Sequence, residues 1–163
     1  AVVLSYARSA IRHPLRGTGF LVPRAERQYT ITAASWVSSK WPGRAPEGQV
    51  LLRAFIGGAR DPGALGRSDR QLVQQAHADL AASLQIDGPP GLTRVYRWER
   101  ANPQHEIGHL DRVATIERRL ERWPGLYLTG NGFRGVGIPD CLADGRSVAV
   151  AATRTLAGSQ PDS

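Results

Sequence analysis

Ala1–Arg8 alternates apolar and polar residues enough to read as a strand, and Gly19–Pro23, Tyr29–Ala34 and Gln49–Ile56 read as further short strands of a β-rich half. Pro42, Gly43, Pro46 and Gly48 punctuate the link between the last two, which predicts a turn between neighbouring antiparallel strands. The period then changes. Ser68 stands where a helix cap belongs, ahead of Leu72, Val73, Ala76, Leu80 and Leu84, whose spacing predicts an apolar stripe laid on the sheet. Gly88-Pro-Pro-Gly91 closes that unit, and Thr93–Trp98 reads as one more strand. A second helix is expected from about His105 to Arg122, with Ile107, Leu110, Val113, Ala114 and Leu120 on or near one face and Pro124-Gly125 as its stop. Leu126–Thr129 then reads as a strand, Ile138 to about Leu156 as a helix, and Ser159–Ser163 as a frayed tail. The pattern predicts an α+β or α/β chain: a mixed, mainly antiparallel sheet with helices, then a helix and a strand-loop-helix ending.

The chain has 163 residues, of which 41% are hydrophobic, enough for one core or for part of a larger domain. It contains no methionine, and its first residues already read as a strand, so a piece of a longer protein is expected. The formal charge of +7 is almost all arginine, Lys40 being the sole lysine. The arginines are scattered, and Arg118, Arg119 and Arg122 alternate with Glu117 and Glu121, which favours a solvated helix face with local ion pairs over a nucleic-acid surface. One cysteine, Cys141, excludes an internal disulfide framework, fits a reducing cytoplasm and is expected to be a small buried residue. No apolar run is long enough to span a bilayer.

Two motifs invite familiar readings. Gly130-Asn-Gly-Phe-Arg-Gly135 satisfies the glycine spacing of dinucleotide-binding loops. A true fingerprint opens its helix within the motif and is followed by a further strand with an acidic end, whereas here the loop runs on to Pro139. His105-Glu-Ile-Gly-His109 spells the two-histidine pattern of zinc proteases. Pro103 would put His105 in the first helical turn, Gly108 weakens the helix inside the motif, and no third histidine follows. No metal site and no catalytic acid, base or nucleophile is expected.

Taken together, Gly17-Thr-Gly-Phe-Leu-Val-Pro-Arg24, Trp41-Pro-Gly-Arg-Ala-Pro46, Asn102-Pro-Gln-His-Glu-Ile-Gly-His109 and the run from Leu126 to Ala152 closely resemble the C-terminal part of the FAD-dependent protoporphyrinogen and coproporphyrinogen oxidases of haem synthesis, members of the flavin amine-oxidase superfamily. The resemblance covers nearly the whole chain. It implies FAD as cofactor, a porphyrinogen as substrate, molecular oxygen as final acceptor, and no nucleic acid. It further implies that 1–104 contributes to a substrate-binding domain, that 105–158 completes an FAD-binding domain, and that 159–163 is a tail. Trp98, Asn131, Val136, Gly137 and Ile138 match positions near the flavin. Leu21, Ser35 and Phe55 match positions lining the tetrapyrrole cavity, Ser35 replacing a leucine frequent in plant enzymes. A tryptophan such as Trp98 serves packing as readily as function.

The resemblance gives the glycine loop a physical task. Reduced flavin carries negative charge, which the free amides and dipole of a helix N-terminus stabilise. Pro139 suits the first helical position, and glycines at 132, 135 and 137 admit close backbone approach. A chain without the pyrophosphate-binding half is expected to be inactive alone. The expected location is cytoplasmic, with peripheral membrane contact left open. Another flavin amine-oxidase-like enzyme, such as an amine oxidase or carotenoid desaturase, and a non-enzymatic basic binding module are the alternative readings.

Overall fold

The computed structural model describes residues 1–101 and 103–158; the expected tail Ser159–Ser163 lies outside them. The chain divides into two compact units, Ala1–Glu99 and Arg100–Ser163.

The first unit is a five-stranded sheet under one long helix. Its strands are β1 (Val2–Ala7), β2 (Gly19–Leu21), β3 (Ile31–Trp36), β4 (Gln49–Ile56) and β5 (Leu92–Val95), in the order β2-β3-β4-β1-β5. Every pair is antiparallel, including the expected neighbours β3 and β4. A four-residue helix, α1 (Val37–Lys40), follows β3 directly. The strand expected over Thr93–Trp98 stops at Val95, which leaves Trp98 beyond its end.

Alternation decides which face is buried. Val2, Leu4 and Tyr6 of β1 and Val50, Leu52 and Ala54 of β4 turn inward with Ile31, Ala34 and Trp36 of β3. They pack with Leu72, Ala76, Leu80 and Leu84 of α2 (Asp69–Leu84), the stripe expected from the sequence, with Val73 partly buried beside it. Ser68 caps α2 by accepting from the Gln71 amide at 3.3 Å while the Gln71 side chain accepts from the Ser68 amide at 2.9 Å, so two otherwise orphaned donors are satisfied at once. Further along α2, Asp79 accepts from the amides of Thr30 and Ile31 at 2.7 and 2.8 Å. One carboxylate thereby holds the start of β3 to the helix. Beneath the sheet the Tyr6 phenol shares a 3.0 Å hydrogen bond with Nδ1 of His77, and burial pushes that phenol's pKa upward.

The second unit holds α3 (His109–Leu120) and α4 (Ile138–Gly158). Three expectations are corrected here. The helix starts at His109, not His105, because Gly108 caps it in the left-handed region at φ 81°, a conformation that ends regular helix on its upstream side. Of its anticipated apolar face only Val113 is buried, while Ile107 and Leu110 are exposed. Leu126–Thr129 forms no strand. A strand exists only through its ladder, and among the described residues of this unit no segment pairs with it. It docks by side chains on α4 instead: Tyr127 Oη reaches Thr155 Oγ1 at 2.5 Å, and Thr129 Oγ1 donates to Asp144 at 2.6 Å. The extended segment therefore runs antiparallel to the helix that follows it.

The arginine-rich face also differs from expectation. Glu117 pairs with Arg134 of the glycine loop, not with a neighbour on its own helix, and Arg118 donates to Thr115. Arg134, 17 residues further along the chain, competes successfully because its long side chain returns from the loop to α3.

Candidate functional site

Two surfaces carry the residues singled out from the sequence. The first is the sheet face turned away from α2. Antiparallel partners share a face, and the register pairs Leu21 with Ala33 and Ala33 with Phe55. One step along, Ser35 pairs with Gly19 on one side and Arg53 on the other. Leu21, Ser35 and Phe55 thus lie on one side of the sheet although 14 and 20 residues separate them in the chain. Leu21 is 82% exposed and Phe55 stands at the margin of exposure, so this face offers apolar side chains to something other than the chain's own core. Leu21 also borders an open groove of about 350 Å³ lined by Phe20, Val22, Tyr29, Trp36 and Leu84. Trp98 belongs to the first unit and is 67% exposed.

The second surface is the loop from Gly130 to Gly137 with the start of α4. The Cys141 amide donates to the Gly137 carbonyl at 3.0 Å, which makes Gly137 the cap and Ile138 the first helical residue. Pro139 is therefore second, one place later than expected. It still contributes no amide, so the helix start offers the N–H groups of Gly137, Ile138 and Asp140. Val136 and Ile138 flank this cluster as exposed apolar residues.

Glycine has a steric reason at two of the three loop positions. A Cβ on Gly135 would come within 2.7 Å of Asp140 Cβ, and one on Gly137 within 2.8 Å of Asp140 Oδ2. Gly132 would meet no protein atom within 4 Å. The Asp140 side chain thus lies beside the backbone of Gly135 and Gly137. Cys141 is half-buried, with its thiol directed to the Gly135 carbonyl at 3.6 Å, a correction to the buried residue expected.

Two interactions hold the loop that sequence reasoning missed. The His105 and His109 rings stack with centroids 4.0 Å apart and planes 6° from parallel. Nε2 of His105 lies 3.2 Å from the Asn131 carbonyl oxygen, and Nε2 of His109 lies 2.7 Å from that of Phe133. A carbonyl only accepts, so each Nε2 must carry hydrogen and donate. Asn131 itself is exposed, and it is its backbone that is engaged. On the other flank Asp144 accepts from Thr129 Oγ1 and from the Gly130 amide at 3.2 Å. Those two donors, the Thr129 hydroxyl first, hold its pKa below the ordinary carboxylate range, with the Arg134 charge adding to them. The histidine spacing was visible in the sequence, but its purpose was not, because the loop carbonyls have no side-chain signature.

The loop offers backbone donors at a helix start, where negative charge is favoured, with two glycines and apolar Val136 and Ile138 alongside. No helix among the described residues is long and apolar enough to cross a membrane.

Comparison with known proteins agrees in kind. Coproporphyrinogen III oxidase of Bacillus subtilis (strain 168) is 38% identical over 147 residues, 90% of this chain and 31% of that protein. The chloroplastic protoporphyrinogen oxidase of Nicotiana tabacum is 35% identical over 166 residues, 96% of this chain and 30% of that protein. A crystal structure from Exiguobacterium sp. 255-15, assigned by name as a protoporphyrinogen oxidase, superposes with a TM-score of 0.76 at 31% identity, covering 94% of this chain and 34% of that one. The chain spans about a third of the length of these relatives. With residues 1–153 matched by the model of the flavin-containing amine oxidoreductases, the chain belongs to that family.

Proposed function

We propose that this chain serves an FAD-dependent porphyrinogen oxidase, which converts coproporphyrinogen III or protoporphyrinogen IX to the porphyrin with molecular oxygen as final acceptor. The observation that carries the reading is the likeness to relatives named for porphyrinogen oxidation, which runs through both units. The sheet unit is then the substrate-binding part, and the unit from Arg100 onward the part that closes on the cofactor.

Bound FAD would supply the redox chemistry, accepting hydride equivalents from the substrate and yielding them to oxygen. This chain's residues bind and orient. The amides of Gly137, Ile138 and Asp140, at the helix start fixed by the Cys141–Gly137 hydrogen bond, would face the end of the isoalloxazine that becomes negative on reduction. Gly135 and Gly137 keep side chains out of the approach, while Val136 and Ile138 supply apolar contact. Leu21 and Phe55 would hold the macrocycle's flat surface, with Ser35 between them leaving more room than a leucine would. No proton transfer by a side chain of this chain is required.

The test is anaerobic mixing of the complete FAD-loaded protein with coproporphyrinogen III and, separately, with protoporphyrinogen IX. Flavin absorbance should bleach with at least one of them and return on admitting oxygen. Flavin that stays oxidised with both would sink the reading.

A further inference from the structure

Arg53 is the odd residue of the open sheet face. It sits on β4, directly across from Ser35 on β3 and from Val3 on β1, and two positions before Phe55 on the same side. Its guanidinium carbon lies 5.1 Å from the centroid of the Phe55 ring. Its Nε is buried and has no hydrogen-bond partner, and among the described residues Arg53 makes no ion pair. An Nε–H that gives up water without gaining an acceptor is destabilising, and stacking of the guanidinium on a ring offsets only part of that. An incoming anion would repair the deficit, since the guanidinium fork fits a carboxylate with two parallel hydrogen bonds.

Resting on the porphyrinogen-oxidase reading, we propose that Arg53 receives a carboxylate of the tetrapyrrole and fixes the macrocycle's orientation against Leu21 and Phe55. The geometry accounts for both halves of such a ligand. The flat apolar ring system meets the leucine and phenylalanine, and the acid side chain at its edge reaches a cation one step along the same strand. Val3, the next residue across the row, is uncharged, and the nearby cation is the Ala1 ammonium, whose pKa is lowered by burial and then by the Arg53 and Arg97 charges. Arg94 of β5 follows, about 10 Å from Arg53 by strand spacing, but it is exposed and donates to the Thr93 carbonyl at 2.9 Å. Arg53 is therefore a specificity-determining residue that touches substrate and has no part in the redox step.

The experiment uses the complete FAD-loaded enzyme with wild type, Arg53→Gln, Arg53→Lys and Arg94→Gln. Wild-type turnover of a porphyrinogen is established first; its failure would count against the function reading and not against the residue. With turnover in hand, Arg53→Gln should raise KM by about ten- to hundredfold with kcat little changed, and Arg94→Gln should do far less. Binding of coproporphyrin and its tetramethyl ester, read by fluorescence, supplies the ligand-side deletion. Wild type should prefer the acid, Arg53→Gln should lose most of that preference, and Arg53→Lys should keep part of it. If Arg53→Gln does not fold, Arg53→Lys decides: a preference for the acid equal to wild type overturns the assignment. An unchanged KM in folded Arg53→Gln, or an equal effect from Arg94→Gln, overturns it as well.

Discussion

His109 holds Phe133: its Nε2 donates to the Phe133 carbonyl across 2.7 Å, with the His105 ring stacked on its own. The histidine pair is thereby a clamp on the glycine loop. Replacing His109 by alanine in the complete protein should cost about 0.5–1.5 kcal/mol for the hydrogen bond and should speed hydrogen exchange of the amides across 131–137. His105→Phe keeps a stacking ring and loses only the Asn131 contact, so its effect should be smaller. Exchange indistinguishable from wild type in His109→Ala would remove the clamp from the account.

Asp144 fastens the other flank of the loop, and its effect depends on pH with a definite sign. Its folded-state pKa is lowered, chiefly by the Thr129 hydroxyl and the Gly130 amide, so the deprotonated form is the one that folding favours. The contribution is complete above the pKa of an unfolded aspartate and is lost as pH falls through the lowered value in the folded protein. Protection of the Gly130 amide should therefore decline on acidification below the ordinary carboxylate range. Asp144→Asn, which keeps a neutral acceptor but cannot titrate, should show protection that no longer changes with pH in that range. A wild-type profile in that variant would contradict the assignment.

Much of the first unit was legible because its signals are local. Gln49–Ile56 declares a strand by its composition, Ser68 announces a helix cap, and Leu72, Ala76, Leu80 and Leu84 repeat at the period of a helix. What escaped depended on partners distant in sequence. Leu126–Thr129 has strand composition, yet composition cannot supply a ladder. Asp79 and Asp144 look like ordinary surface acids until the amides of Thr30, Ile31 and Gly130 arrive beside them. Arg53 looks like any outward residue of a strand, and only the register reveals Ser35 and Val3 as its neighbours. The resemblance supplied Leu21, Ser35 and Phe55 as a set; periodicity alone could not have chosen them.

The Asp79 attachment should be expensive to remove. Its carboxylate takes two backbone donors at the start of β3, and alanine there would leave both with no acceptor. A penalty of about 1–3 kcal/mol is expected, visible as a lower unfolding midpoint in denaturant, whereas Asp79→Asn should retain one acceptor and lose less. Equal stability of the alanine variant and wild type would show that water replaces the carboxylate without loss.

Gly135 and Gly137 should respond differently to the same small substitution. At Gly137 the added methyl would meet chiefly the terminal Oδ2 of Asp140 at 2.8 Å, and rotation about the aspartate side chain can relieve that. At Gly135 it would meet Asp140 Cβ at 2.7 Å and Cγ at 2.9 Å, and Cβ moves only with the helix backbone. Gly135→Ala should therefore displace the start of α4 and lower the flavin content of the complete protein, while Gly137→Ala should be milder. Gly137→Asp is a separate case: it adds a second carboxylate beside Asp140 at the place where negative charge would develop on flavin reduction, so reduction should slow even where flavin is retained. Flavin content from the absorbance of purified variants and reduction followed by stopped flow distinguish the three. A Gly135→Ala protein with full flavin content and a normal reduction rate would show that the helix start yields easily and that the steric argument fails.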